Sequence, residues 1–123
     1  MKQIRIILGD IILDAELNDG PTAKKVWEAL PIVAPFSTWG DEIYFSIPVE
    51  SELESDAQEV VESGDLGYWP SGNAFCIFFG PTPISSAGEI RPASAVNMIG
   101  RVTGNAVTLK EKMSEAVIRV ERG

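Results

Sequence analysis

Three carboxylates, Asp41, Glu42 and Asp65, are the main candidates for acid–base chemistry in this sequence. The chain has no histidine, which excludes Ser-His-Asp and Cys-His arrangements as well as histidine-based zinc sites. Asp41 and Asp65 precede strand-like runs at positions typical of turns, so we predict that both order the backbone. Alternation places Glu42 on the same strand face as Tyr44, which makes Glu42 the stronger functional candidate.

Cys76 is the single cysteine, and it lies within the apolar run 74–79 without a basic neighbour in sequence. We therefore predict a packed, unreactive thiol. A single cysteine excludes an internal disulfide and favours a reducing, cytoplasmic location. No glycine pattern matches a P-loop or a dinucleotide fingerprint, and we predict no cofactor.

Aromatic residues concentrate in residues 64–83 and close to Glu42. Contiguous exposed aromatic side chains are uncommon on proteins unless they bind something, so this pattern predicts a binding groove. Core packing is the alternative interpretation for each aromatic residue taken singly, and it is the one we adopt for Phe45 and Phe75. The predicted groove residues are Trp39, Glu42, Tyr44, Tyr68, Trp69, Asn73, Phe78, Arg91 and Asn97.

Acidic residues crowd the stretch 50–62, inside a long segment between Lys25 and Arg91 that has no lysine or arginine. The favoured interpretation is a solvated acidic loop. The alternative interpretation is a cation site, because four acidic residues occupy alternate positions: Glu50, Glu52, Glu54 and Asp56. The glycine and terminal glutamate that a calcium loop of EF-hand type needs are absent at the required positions, and we predict no metal site.

A net charge of −8 argues against binding to a phosphate backbone, which requires clustered lysine and arginine. No apolar run approaches the roughly 20 residues of a membrane span, and the N-terminal apolar segment lacks the features of a signal peptide. We expect a partner that is a small molecule or a short peptide, and neither nucleic acid nor membrane. The outward apolar residues Ile7 and Ile12 suit either a homodimer contact or a covering helix.

The apolar periodicity is mostly two, which is typical of strands that are buried on one face. Gly9 and Asp10 form a two-residue hairpin signal of type II′. Residues 22–30 carry apolar side chains at helical spacing and end before Pro31, which predicts one amphipathic helix. Residues 105–113 suit a short second helix or a turn. We predict a mainly β, closed antiparallel barrel with one main helix, formed by residues 1–123 as a single domain.

Three segments, residues 39–45, 64–83 and 92–97, resemble small bacterial and archaeal cyclophilin-like proteins of unassigned function. The resemblance extends over essentially the whole chain and implies a cyclophilin-like barrel. Cyclophilins are peptidyl-prolyl isomerases whose activity requires an arginine on the strand after the first helix. The matching segment here, residues 32–49, has no arginine, and its groove positions carry Glu42 and Tyr44 instead.

These observations favour a non-catalytic module that binds a small ligand or a short peptide in an aromatic, acidic groove. One alternative is a divergent prolyl isomerase that uses Arg91 or backbone polarisation. A further alternative is a carboxylate-based enzyme with Glu42 as its general base. Fold alone does not decide among the three.

Overall fold

In the computed structural model, which describes residues 1–123, nine antiparallel strands form one continuous sheet. The alternating apolar pattern of the sequence accounts for most of them, because each strand buries one face. The strands are β1 Lys2–Leu8, β2 Ile11–Leu17, β3 Ile32–Pro35, β4 Ser37–Thr38, β5 Glu42–Ser46, β6 Asp65–Trp69, β7 Ala74–Phe78, β8 Asn97–Val102 and β9 Val117–Arg122.

The sheet has the order β3-β9-β1-β2-β8-β6-β7-β5-β4 and curls into a nearly closed barrel. The two edge strands, β3 and β4, are successive parts of one chain segment and are separated by Phe36. Because β3 pairs with β9 and β4 pairs with β5, this segment joins the two ends of the sheet. The predicted closed β-barrel class is confirmed.

One α-helix, α1 Pro21–Ala29, packs Ala23 and Val26 into the main core. Pro21 occupies the first turn, where its missing N–H has no cost, and the helix ends just before Pro31. The helix predicted at residues 22–30 is confirmed. The second predicted helical segment forms a 3₁₀ helix, Ala106–Lys112, and another short 3₁₀ helix, Pro70–Gly72, connects β6 to β7. No helix is both long and apolar enough to cross a membrane.

The turn between β1 and β2 places Gly9 at φ +60° while Asp10 keeps a negative φ, as a type II′ turn requires. Asp65 was also predicted to lie in a turn, and its carboxylate accepts a hydrogen bond of 2.8 Å from the backbone N–H of Glu62. This contact confirms that Asp65 orders the turn that leads into β6.

Strands β5, β6 and β7 have apolar side chains on both faces. One face packs in the interior of the barrel, and the other packs in a separate cluster outside it. Phe45 and Phe75 point into the barrel and stack with ring centroids 5.1 Å apart. On the outer face, Phe78 belongs to a second, smaller cluster together with Val96 and Ile90. The loop 79–96 covers this outer cluster, and Val96 is tied to Gln58 by a pair of backbone hydrogen bonds.

Candidate functional site

A cavity of about 240 Å³ lies on the outer face of the barrel, between the sheet and the covering loop. Six of its eight lining residues are apolar, and Glu42 contributes the only carboxyl group. The lining residues are Trp39, Glu42, Tyr44, Trp69, Cys76, Pro92, Ala93 and Val96. The strand register explains the grouping, because Tyr44 lies opposite Cys76 and both side chains leave the sheet on the outer face.

A tight turn before β5 positions Glu42 at the cavity wall. The backbone N–H of Trp39 donates to the carbonyl of Glu42 at 3.0 Å, and the N–H of Asp41 donates to the carbonyl of Pro81 at 3.0 Å. Gly40, at φ +60°, sits at the centre of this turn, and a Cβ there would lie 2.7 Å from the carbonyl oxygen of Pro81. The close approach of two backbone segments therefore requires glycine at this position.

Glu42 is 6% exposed and takes part in no salt bridge. Burial disfavours its charged form and raises the pKa of Glu42 to about 7. The neighbouring Asp41 differs, because its carboxylate pairs with the Lys110 ammonium at 3.1 Å. Two adjacent carboxylates are thus placed differently: Asp41 has a cation from the chain, and Glu42 has none.

The Cys76 thiol lies against the Glu42 carboxyl on the cavity floor. Burial, and after it the charge of Glu42, raises the pKa of Cys76 well above its usual value. A protonated thiol is a poor nucleophile, so the geometry agrees with the prediction of a packed, unreactive cysteine.

The cover of the cavity depends on two contacts with β6. The Trp69 indole N–H donates a 2.7 Å hydrogen bond to the Ser94 hydroxyl, which links the sheet to the loop. At Gly67, a Cβ would lie 2.9 Å from a methyl group of Val96. Glycine at this position lets Val96 approach the sheet, and the loop then closes over the outer cluster.

Four of the predicted groove residues, Trp39, Glu42, Tyr44 and Trp69, meet at this cavity. Phe78, also predicted there, is fully buried in the outer cluster beside the cavity and does not line it. The alternation that places Phe78 on the outer face is correct, but the covering loop buries the ring.

Three other predicted residues lie away from the cavity. Tyr68 is fully buried in the main core, where its hydroxyl donates to the carbonyl of Val49 at 2.7 Å. Asn97 is also fully buried, and its side-chain amide donates to the carbonyl of Glu52 at 2.8 Å and accepts from the N–H of Glu54 at 2.7 Å. Asn73 ends the 3₁₀ helix before β7 with φ +46°, beside a separate polar groove. The structure gives Tyr68 and Asn97 contacts that shape the fold.

Sequence reasoning did not assign Cys76, Pro92, Ala93 and Val96 to the groove. Cys76 could have been found, since it is two residues before Phe78 and therefore shares its strand face. The three loop residues carried no such signal, because only the tertiary position of residues 92–96 brings them over the sheet.

The acidic stretch 50–62 forms an irregular loop that is anchored at a few points. The N–H of Ser51 donates to the Tyr68 hydroxyl at 3.3 Å, and Val61 pairs with Ile90. No group of three or more Asp, Glu or Cys side chains in the chain is arranged to hold a metal ion.

Comparison with known proteins identifies the family. The model of the Cyclophilin-like family matches residues 2–121. The chain belongs to the cyclophilin-like family. A hypothetical protein from Archaeoglobus fulgidus, known from a solution structure, is similar at 42% identity and TM-score 0.82 over 99% of this chain and 95% of its own.

The structure of McbB in complex with tryptophan is also similar, with TM-score 0.72 and 16% identity. The match covers 98% of this chain but 44% of McbB, and at this identity it shows a shared fold. No curated protein matches the sequence.

Within the cyclophilin-like family, isomerases place an arginine in their groove, and this chain has no lysine or arginine at the cavity. Arg91, the predicted substitute, lies on the far side of Pro92 and Ala93, where its guanidinium bonds the Glu89 carboxylate at 2.8 Å. That ion pair keeps the pKa of Glu89 below its usual value. Arg91 is therefore held outside the cavity.

Proposed function

We propose that this cyclophilin-like protein is a binding module whose outer-face cavity takes a small molecule or one side chain of a short peptide. The observation that carries the proposal is the cavity itself, which is walled by aromatic rings and contains one carboxyl group. Binding sites commonly combine an apolar lining with a few polar groups that orient the ligand.

The size of the cavity limits the ligand. Its volume of about 240 Å³ is below the range of roughly 300–1,000 Å³ that is usual for drug-sized molecules. A single-ring compound or one aromatic side chain suits it better than an extended peptide. McbB, which has the same fold, was solved in complex with tryptophan, an aromatic amino acid.

A fragment screen followed by amide chemical shifts tests the proposal. We expect single-ring compounds to shift the amide signals of Tyr44, Trp69 and Cys76, since these residues line the cavity. Shifts confined to residues 50–62 would contradict the proposal.

Two alanine variants sharpen this test. Trp39→Ala removes part of the cavity wall, and we expect it to weaken binding about tenfold, consistent with loss of one aromatic contact. Phe36→Ala is the matched control, because Phe36 is a partly buried aromatic residue that does not line the cavity. Equal affinities in the two variants would place the ligand elsewhere.

A carboxylate-based enzyme is a second candidate function, and the placement of Glu42 favours it. A carboxylate with a pKa of about 7 at an apolar cavity has the properties of a general base at neutral pH. Such a base would abstract a proton from a bound carbon acid while the apolar walls exclude water.

The ring opening of 5-nitrobenzisoxazole tests this second candidate without knowledge of the natural substrate. A base removes the proton on carbon, the electron pair of that C–H bond turns the ring C=N bond into the C≡N bond of a nitrile, and the N–O bond breaks to give a coloured phenolate. If Glu42 acts as a base, the protein accelerates this reaction and Glu42→Gln abolishes the acceleration. An equal rate in the two proteins excludes a role for Glu42 as base in this probe reaction.

A further inference from the structure

Glu42 differs from the other buried polar residues in the hydrogen bonds that its side chain makes. Thr22, Thr82 and Asn97 are the other buried polar side chains, and each makes hydrogen bonds with the chain. The Glu42 carboxyl makes no hydrogen bond with the backbone and no salt bridge; it faces the Cys76 thiol and opens onto the cavity. Burial removes most of the water from this carboxyl, so a ligand that supplies a charged partner would gain binding energy.

The chain itself provides no cation for Glu42. Lys110, which is bound to the adjacent Asp41, and Arg91, which is bound to Glu89, are both engaged elsewhere. The cavity lining contains no lysine or arginine. Any counter-charge for Glu42 must therefore come from outside the chain.

The aromatic lining also favours a positive charge. The faces of aromatic rings carry negative potential, so tryptophan and tyrosine attract ammonium groups and repel anions. The net charge of −8 acts in the same direction over longer distances. A metal ion fits less well, because a single carboxyl beside a protonated thiol does not form a ligand set.

Building on the proposed binding function, we propose that the ligand of this cavity carries a protonated amine. Its ammonium group forms an ion pair with Glu42, and the rings of Trp39, Tyr44 and Trp69 enclose an adjoining apolar group. The ligand class is thus an aromatic or alkyl amine with one ring or a short chain.

An ion pair at this position makes binding depend on pH, because the free carboxyl must lose its proton. Three other ionisable side chains lie near Glu42: Cys76 stays protonated, Asp41 pairs with Lys110, and Tyr44 forms part of the cavity wall. The covering loop presents Pro92, Ala93 and Val96, which do not titrate. Since the pKa of Glu42 is about 7, affinity for an amine should fall about tenfold from pH 8 to pH 6.

Calorimetric titration with two matched probes tests the inference. Phenethylamine carries a cationic amine, and 2-phenylethanol has the same ring and chain with a neutral hydroxyl. At pH 8 we expect phenethylamine to bind at least tenfold more tightly. In Glu42→Gln, which keeps the side-chain shape, most of the preference for the amine should be lost and the pH dependence should disappear; the aromatic rings and the net charge account for the preference that is left.

Glu28→Gln serves as the control for net charge, because Glu28 is exposed on α1 and forms no ion pair. It should keep the full preference for the amine. Equal binding of amine and alcohol by the unmodified protein would overturn the amine inference and leave the binding module intact. If neither probe, nor any screened fragment, binds at the cavity, the proposed function itself fails.

Discussion

The interior of the barrel and the cavity on its outer face are built from the same three strands, β5, β6 and β7, yet they differ in how completely their side chains are paired. Inside, Phe45 stacks on Phe75 and the Tyr68 hydroxyl is fully hydrogen bonded. Outside, aromatic rings surround a space of about 240 Å³ and a carboxyl without a cation. The interior side chains therefore contribute mainly to stability, whereas the carboxyl and the aromatic rings of the outer face are free to contact a ligand.

Adjacent residues of β5 give the sharpest test of this difference. Phe45 is 2% exposed in the interior, and Phe45→Ala should lower the free energy of unfolding by about 3–5 kcal/mol because it leaves a cavity. Tyr44 is partly buried on the outer face, and Tyr44→Ala should cost about 1 kcal/mol while it weakens ligand binding. Urea denaturation measures both. Equal losses of stability would remove the distinction between the two faces.

Glu42→Gln tests the electrostatic part of the comparison. The pKa of Glu42 is about 7 in the folded protein and near 4.5 in the unfolded chain, so the folded state binds more protons between these values. The stabilising contribution is complete below about pH 4.5 and is lost as pH rises through 7. Relative to Glu42→Gln, the unmodified protein should lose about 3 kcal/mol between pH 4.5 and pH 8.

Urea denaturation of both proteins at the two pH values measures this loss, with Glu28→Gln as the control for net charge. A constant difference between the unmodified protein and Glu42→Gln would show that Glu42 titrates normally, and the outer face would then contain no costly carboxylate.

The link between Trp69 and Ser94 predicts the smallest effect. Ser94→Ala removes the hydrogen bond from the indole N–H, and we expect a loss of about 0.5–1 kcal/mol, since Ser94 is exposed. The indole N–H signal of Trp69 should move and exchange faster with solvent. Ser86→Ala, in the same loop but without a side-chain hydrogen bond, should leave that signal unchanged. Identical spectra would show that the loop is held without this contact.

The sequence was sufficient to predict the barrel, the helix and part of the cavity. Alternation along β5 correctly placed Glu42 and Tyr44 together, because strand periodicity is a local property. The density of aromatic residues was a weaker basis for predicting the groove, since an aromatic residue occurs both in a packed core and at a binding site. Tyr68 and Phe78 are aromatic for reasons of packing, as their burial shows.

The loop contribution to the site could not be predicted for a physical reason. Pro92, Ala93 and Val96 reach the cavity through the pairing of Val96 with Gln58 and the close approach at Gly67. Both contacts join segments that are distant in sequence, and neither produces a periodic pattern in the sequence from which it could be predicted. The raised pKa of Glu42 could not be predicted either, because burial in the folded chain produces it.

A pH titration of the Glu42 carboxyl carbon, followed by NMR with and without phenethylamine, tests whether this buried carboxyl binds an amine. We expect a midpoint of about 7 in the free protein. Saturating amine should lower that midpoint by at least about one pH unit, because an adjacent positive charge stabilises the carboxylate. A midpoint near 4.5 in the free protein, unchanged by the amine, would contradict both the unpaired buried carboxyl and the ligand it is proposed to bind.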